Sequence, residues 1–322
     1  MTAPAWPASR TRRGAATSPA PAPPPPSRAR RASRTAWWYT APTLFVVGAV
    51  TIAPIAISLV MSFSEVRLSS SGFELGDFGT RNYEALLAST AWRDALAFTV
   101  TYTVLSVLIE LVLGVLVALV LERLTKARGW MMALLLIPWS MITVVSAQLW
   151  SYLYNSAYGA LSWLIGLVTD EPPIILGTPV SAFSAILVAD VWKTTPFVAI
   201  IVLAGLVTID RSVYEAAEMD GAGAWTTFWR ITLPLLRGTL AIAVLFRVLQ
   251  AFGVFDLPFV LTGGGPGTST QPLAMLGWKV MFQNLNMGAG AAVAASTALI
   301  VFLVCLLCLK AFRSQVAEED AK

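Results

Sequence analysis

Six stretches of the chain are almost continuously apolar, at about residues 39–63, 97–121, 130–153, 182–207, 237–262 and 289–312. A hydrocarbon core about 30 Å thick is crossed by a helix of ~20 such residues. No water is available there to satisfy the backbone, so each run must bond internally. The pattern predicts six transmembrane helices and an all-α integral membrane fold. Between the fourth and fifth runs the segment "YEAAEMDGAGAWTTFWRITLPLL", residues 214–236, breaks it with three carboxylates in six residues. Ser212 stands three residues before Glu215, the spacing of a capping box that starts a helix. Glu215 and Glu218 then fall in its first two turns, where carboxylates suit the positive end of the helix dipole. Asp220-Gly221 is a natural helix end. A second helix over "AWTTFWRIT" carries Trp225, Phe228, Trp229 and Ile231, and Leu233-Pro234 is expected to close it before the next run.

Composition sharpens the class. Of 322 residues 57% are hydrophobic and 12% charged, too little polar surface to cover a soluble protein of this length. Lys and Arg are distributed unevenly: sixteen lie in the N-terminal tail, the 122–129 and 208–237 loops and the C-terminal tail, against four on the other side. By the positive-inside bias both termini and the acidic segment face the cytoplasm. Residues 1–36 hold eight prolines and seven arginines with no acid. They are expected to form a disordered tail outside a transmembrane domain over residues 37–322.

Several chemistries drop out. The chain has no histidine, which removes imidazole ligands and His-based triads. Cys305 and Cys308 sit among Val and Leu in the last run, with nothing nearby to stabilise a thiolate. "GGGPGTST" at 263–270 lacks the lysine of a phosphate loop. Polar chemistry concentrates instead in the apolar runs, where an ionisable group costs about 2.5–3.5 kcal/mol on insertion scales and faces a cavity or a partner. Glu110, the pair Asp190 and Lys193, Arg247 and Asp256 are such residues. Asp190 and Lys193, three apart on one helix, can neutralise each other. Asp190, Arg247 and Gln250 can line a hydrated path and bond a polar solute, while Trp192, Phe197 and Phe252 offer rings beside it.

A surface helix bound only to lipid would carry Lys and Arg toward the anionic leaflet. The island presents Glu215, Glu218 and Asp220 instead, and Ala216 and Ala217 leave a bare face for a protein partner. The pattern E-A-A-x-x-D-G-A followed by I-x-L-P, here Glu215, Ala216, Ala217, Asp220, Gly221, Ala222, Ile231, Leu233 and Pro234, resembles the EAA loop of inner-membrane permeases of binding-protein-dependent ABC importers. "LAGLVTIDRSVY" (203–214), "FGTRNYEALL" (78–87) and "FDLPFVLTGGGPGTST" (255–270) resemble the carbohydrate-uptake branch, the maltose- and trehalose-type first permease in particular. The resemblance extends over residues 37–312.

The resemblance implies a non-catalytic subunit forming the path of an ATP-driven importer for a sugar, a disaccharide or oligosaccharide such as trehalose or maltose. Its coupling residues would be Glu215, Ala216, Ala217, Glu218, Asp220, Gly221 and Ala222. The implied partners are a second homologous permease, a dimeric cytoplasmic ATPase that binds the ATP and Mg, an extracytoplasmic sugar-binding protein and membrane lipid, but no nucleic acid. This chain would bind no cofactor or metal itself, and would lie in a bacterial plasma membrane. By spacing from the EAA loop, Asp190, Thr194, Phe197, Arg247, Ala251 and Val254 fall at substrate-path positions. Two other classes compete. An ion-coupled secondary transporter using Glu110 or Asp190 would show matched broken helices in two repeats, which the halves of this sequence lack. An enzyme acting on a lipid-linked sugar would cluster acids at the membrane edge, where Asp170 and Glu171 are only scattered.

Overall fold

The structure, a computed structural model, describes residues 26–69, 72–124, 126–169 and 173–319. Residues 1–25 of the expected tail, and Asp170 and Glu171, lie outside them. The chain divides into two units, Met1–Ile55 and Ala56–Lys322. The described part of the first belongs to helix α1 (Pro26–Ser62), in which residues 37–55, Trp38, Phe45 and Ile52 among them, are exposed apart from the half-buried Gly48. An all-round apolar surface is what a lipid-facing helix carries. The helix reaches back to Pro26, so residues 26–36 are helical and not irregular as expected.

In the second unit the last turn of α1 leads into an antiparallel hairpin, β1 (Ser64–Ser69) and β2 (Gly72–Phe78), and then α2 (Arg81–Ala88). Asn82 Nδ2 donates to the carbonyl oxygens of Ser62 and Ser64, both at 3.0 Å, and ties these elements together. Helix α3 (Thr90–Arg123) starts where Ser89 Oγ accepts the Trp92 N–H at 3.3 Å. Helices α4 (Arg128–Ser140), α5 (Thr143–Tyr154) and α6 (Ala160–Thr169) follow. Helix α7 (Pro179–Thr208) begins in a reciprocal cap between Thr178 and Ser181, with Pro179 where a missing N–H is harmless. Next come α8 (Arg211–Met219), α9 (Ala224–Thr227), a π-turn at Phe228–Thr232, α10 (Leu233–Leu235) and α11 (Arg237–Phe252). The chain ends with α12 (Asp256–Thr262), α13 (Leu273–Trp278), a second π-turn at Lys279–Gln283 and α14 (Met287–Glu319).

Among the described residues four helices are long and apolar enough to cross a bilayer: Trp37–Ser62, Thr90–Arg123, Pro179–Thr208 and Met287–Ala311. Two bent pairs bring the number to six if each is one crossing: α4 with α5, broken by 90°, and Ala224–Leu235 with α11, broken by 67°. The sequence pattern differs from this at three places. The third run, expected as one helix, breaks at Ser140–Ile142 just after Pro138, whose ring removes a backbone bond. The fifth run ends as a helix at Phe252 and resumes as the short α12. Leu233-Pro234 does not close the island helix: the backbone stays helical to Leu235, with a π-turn before the proline absorbing its missing N–H. The break falls at Leu236, which is fully buried and still bonded on both sides, Leu236 N–H to Thr232 O at 3.0 Å and Leu240 N–H to Leu236 O at 2.8 Å.

Helix α7 is the hub, packing against α3, α4, α5, α11 and α12. Burial from water does not drive such packing in lipid, so close approach at small residues must do so. At Gly114 of α3 a Cβ would stand 2.6 Å from Val198 Cγ1 and 3.2 Å from the Ala199 nitrogen; at Gly205 of α7 one would stand 2.5 Å from Thr239 Oγ1 of α11. We expect Gly114→Ala to lower stability by about 1–3 kcal/mol through overpacking. A melting curve in detergent checks this, and an unchanged midpoint would mean the helices part freely there.

Candidate functional site

The polar island folds as a compact turn between α7 and α11. Asp210, not Ser212, caps α8: its carboxylate accepts the Ser212 N–H at 2.9 Å, and Ser212 sits inside the helix. That bond, together with the Ser212 side chain, holds the Asp210 carboxyl below its usual range. The capping box with Glu215 is therefore not formed. The far end closes as expected from Asp220-Gly221. Gly221 has φ +74°, its N–H donates to Glu218 O at 3.0 Å, and the Ala222 N–H donates to Ala217 O at 2.9 Å, the paired bonds of a Schellman end.

Along this turn Glu215, Ala216, Glu218, Asp220 and Gly221 are exposed, and Ala222 is half-buried. Ala217, expected on the bare outer face, instead points inward and is buried. Thr232 Oγ1 donates to the Tyr214 hydroxyl at 3.3 Å and fastens α8 to the π-turn. Trp225 and Trp229 meet edge to face at 5.6 Å and stay largely exposed, 75% and 50%. An acidic tip flanked by uncovered tryptophans and rigidly braced from below is a surface built for contact.

A second site lies within the apolar helices. Arg247 of α11 reaches Glu110 of α3 with two donors, Nε to Oε2 and Nη2 to Oε1, the latter at 2.8 Å. The same Nη2 donates to Asp190 Oδ2 of α7 at 3.1 Å, and Nη1 donates to Gln250 Oε1 at 3.0 Å. Thr194 Oγ1 lies 2.6 Å both from Glu110 Oε1 and from the Asp190 carbonyl oxygen. Glu110 is fully buried, Arg247 2% exposed and Asp190 9%. Such a bidentate guanidinium–carboxylate pair offsets the cost of burying charge only because nearly every donor is satisfied.

The structure brings Asp190, Thr194, Arg247 and Gln250 together. Asp190 does not pair with Lys193 as expected; Lys193 Nζ turns to the Trp139 carbonyl oxygen at 3.5 Å. Phe252 is buried in a separate cluster with Leu86, Ala95 and Leu273, and Ala251 is buried beside Ala189 and Val248, so neither offers a surface to a solute. Val254 is half-buried. Trp192 is 38% exposed and meets Trp150 edge to face at 5.6 Å. Phe197 stacks on Trp139 at 5.7 Å and meets Phe246 edge-on. Gln250 is exposed, so the buried network reaches the surface of this chain there. On α3 and α5, Thr103 Oγ1, Ser146 Oγ and Trp150 Nε1 are buried without a hydrogen-bond partner among the described residues, and the buried Tyr102 hydroxyl faces Asp190. Glu110 stood among the intramembrane acids of the sequence but not among the path residues; a lone acid in one apolar run and a lone arginine in another was the signal.

Residues 85–315 match the family described as "Binding-protein-dependent transport system inner membrane component". The trehalose/maltose transport system permease protein of Thermococcus litoralis is 41% identical over 236 residues, 73% of this chain and 79% of that protein. The trehalose transport system permease protein of Mycobacterium tuberculosis is 34% identical over 279 residues, 87% of this chain and 89% of that protein. Among solved structures, a chain of a bacterial ABC transporter involved in the import of the acidic polysaccharide alginate superposes with a TM-score of 0.76 at 20% identity, covering 89% of this chain and 99% of that one. The last likeness bears out the all-α membrane fold, and the first three the resemblance to permeases of binding-protein-dependent importers, the trehalose- and maltose-type among them.

Proposed function

The chain belongs to the family of inner-membrane components of binding-protein-dependent transport systems, and on that premise we propose that it forms one half of the translocation path of an ATP-driven sugar importer. The observation that carries this is the charged cluster in which Asp190 and Arg247, on the two helices that flank an exposed acidic loop, meet Glu110 of α3, with Gln250 at its edge. A permanent charge set inside an apolar bundle is costly and suits a hydrated route rather than a scaffold. The trehalose and maltose in its relatives' names favour a disaccharide. The exposed ring of Trp192 suits a pyranose face and Gln250 suits hydroxyls, whereas Phe197, stacked on Trp139, backs the path from beneath.

Within this proposal Glu215, Ala216, Glu218, Asp220 and Gly221 form the surface that docks on a cytoplasmic ATPase, with Ala217 and Ala222 supporting it from beneath. A second permease completes the path, and an extracytoplasmic binding protein delivers the sugar. ATP and Mg belong to the ATPase. Closure of the ATPase would shift α8 to α10 as a unit and swing α11, carrying Arg247 and Gln250 with it. The lever is short and hydrogen-bonded, as the task requires. Asp190→Ala and Gln250→Ala are each expected to lower uptake in vesicles reconstituted with the whole complex by about tenfold, the loss of one hydrogen bond to a charged group. Assembly should persist. Wild-type uptake kinetics in both variants would remove these residues from the path.

A further inference from the structure

The way Arg247 is held bears on which sugars can pass. A guanidinium has five N–H donors. Glu110 takes two of Arg247's, Asp190 one and Gln250 one. The one that remains is on Nη1, the nitrogen that faces the exposed Gln250. Its charge is equally committed, because two carboxylates lie within bonding distance of one arginine. Lys193, buried one turn along α7 from Asp190, brings the four groups to a formal charge of zero.

A solute arriving beside Gln250 therefore meets hydrogen-bonding groups without a net positive field. A neutral polyol needs no more than that. A carboxylated or phosphorylated sugar would have to leave its water and pull Arg247 from Glu110, exposing a buried carboxylate to an anion in a low-dielectric setting. Discrimination of this kind rests on the repulsive element as much as on the attractive one. Here the repulsive element comes from α3, a helix outside the pair that flanks the acidic loop.

We propose that Glu110 is a specificity-determining residue: by neutralising Arg247 it makes the path accept neutral saccharides and reject anionic ones. The inference rests on the sugar-path proposal above and assigns it a charge class. Glu110 touches no sugar; it positions Arg247 and cancels its charge.

The test uses the purified permease–ATPase complex with radiolabelled trehalose as probe, displaced by unlabelled trehalose or by trehalose 6-phosphate, which differs by one phosphate. In the wild type the phosphate ester should compete at least about tenfold more weakly. In Glu110→Gln, which leaves the cluster one positive charge in excess, that gap should shrink by about tenfold. Asp190→Asn makes the same change of charge from another helix and should act alike, so it carries the test if Glu110→Gln fails to assemble. Glu110→Asp keeps the charge and should keep the gap. A gap unchanged in both neutralised variants, or trehalose and its phosphate weakening in proportion, would overturn the proposal and leave Glu110 as a helix fastener. A wild-type complex that hydrolyses ATP but binds neither sugar would fell the sugar path itself, an outcome distinct from equal binding of both sugars, which fells only the charge rule.

Discussion

Replacing Arg247 with leucine is expected to cost about 3–5 kcal/mol, because it strips Glu110 and Asp190, both buried, of the guanidinium that bonds them. Three helices meet at that guanidinium, so the loss should appear as a low yield of folded protein and a melting midpoint far below wild type in detergent. Leucine at Arg247, Glu110 and Asp190 together should recover much of the deficit, since it removes the two stranded carboxylates and leaves only Lys193, bonded to the Trp139 carbonyl oxygen, as a buried charge. Transport should not return with stability in the triple variant. A single Arg247→Leu variant melting like the wild type would show the ion cluster to be energetically idle.

Gly221→Val is expected to separate ATP hydrolysis from uptake. The residue sits at φ +74° with no atom within 4 Å of where a Cβ would be, so the whole penalty is backbone strain, about 1–3 kcal/mol and at the upper end for a β-branched residue. The chain would relieve it by opening the Ala222-to-Ala217 bond and re-aiming α9. Glu215→Lys acts differently, reversing an exposed charge while leaving the turn intact, and should weaken retention of the ATPase. Gly223, equally uncrowded but with φ −70°, tolerates alanine and serves as the control. ATPase pull-down and sugar uptake measured side by side read all three. Wild-type behaviour of both Gly221→Val and Glu215→Lys would deny the loop its coupling role.

The long elements were legible because lipid imposes length and apolarity together: α3 and α7 lie where the second and fourth runs predict them, and Ser89 and Thr178 mark their starts. The hairpin at 64–78, helix α2 and helix α13 were not legible, being too short to establish a period. Helix α13 is fixed instead from a distance, its Leu273 N–H donating to Thr99 Oγ1 of α3 at 3.0 Å. At the island two cap-forming residues stand two apart, Asp210 and Ser212, and composition alone does not choose between them; the extended backbone at Asp210 does. The partner of Asp190 was misassigned for a related reason. Lys193 is near along the helix, whereas Arg247 is 57 positions away and becomes a neighbour only when α7 and α11 pack. Phe252 shows the converse: an aromatic adjacent to path residues in sequence turns to the opposite side of its helix and fills a core.

The bend at Leu236 has a mechanical consequence. Because backbone bonds bridge it and Leu121, Val202 and Leu206 grip its side chain, it transmits torque as a welded elbow does, with little angular slack. Helix α11 extends sixteen residues beyond it, an arm of ~24 Å at 1.5 Å per residue. A rotation of about 5° at the Leu236 end carries the Gln250 end of that arm through about 2 Å, more than half the length of a hydrogen bond. In the proposed path, contact between Gln250 and a passing solute would thereby be made or lost by a displacement of the acidic turn too small to disturb its own fold.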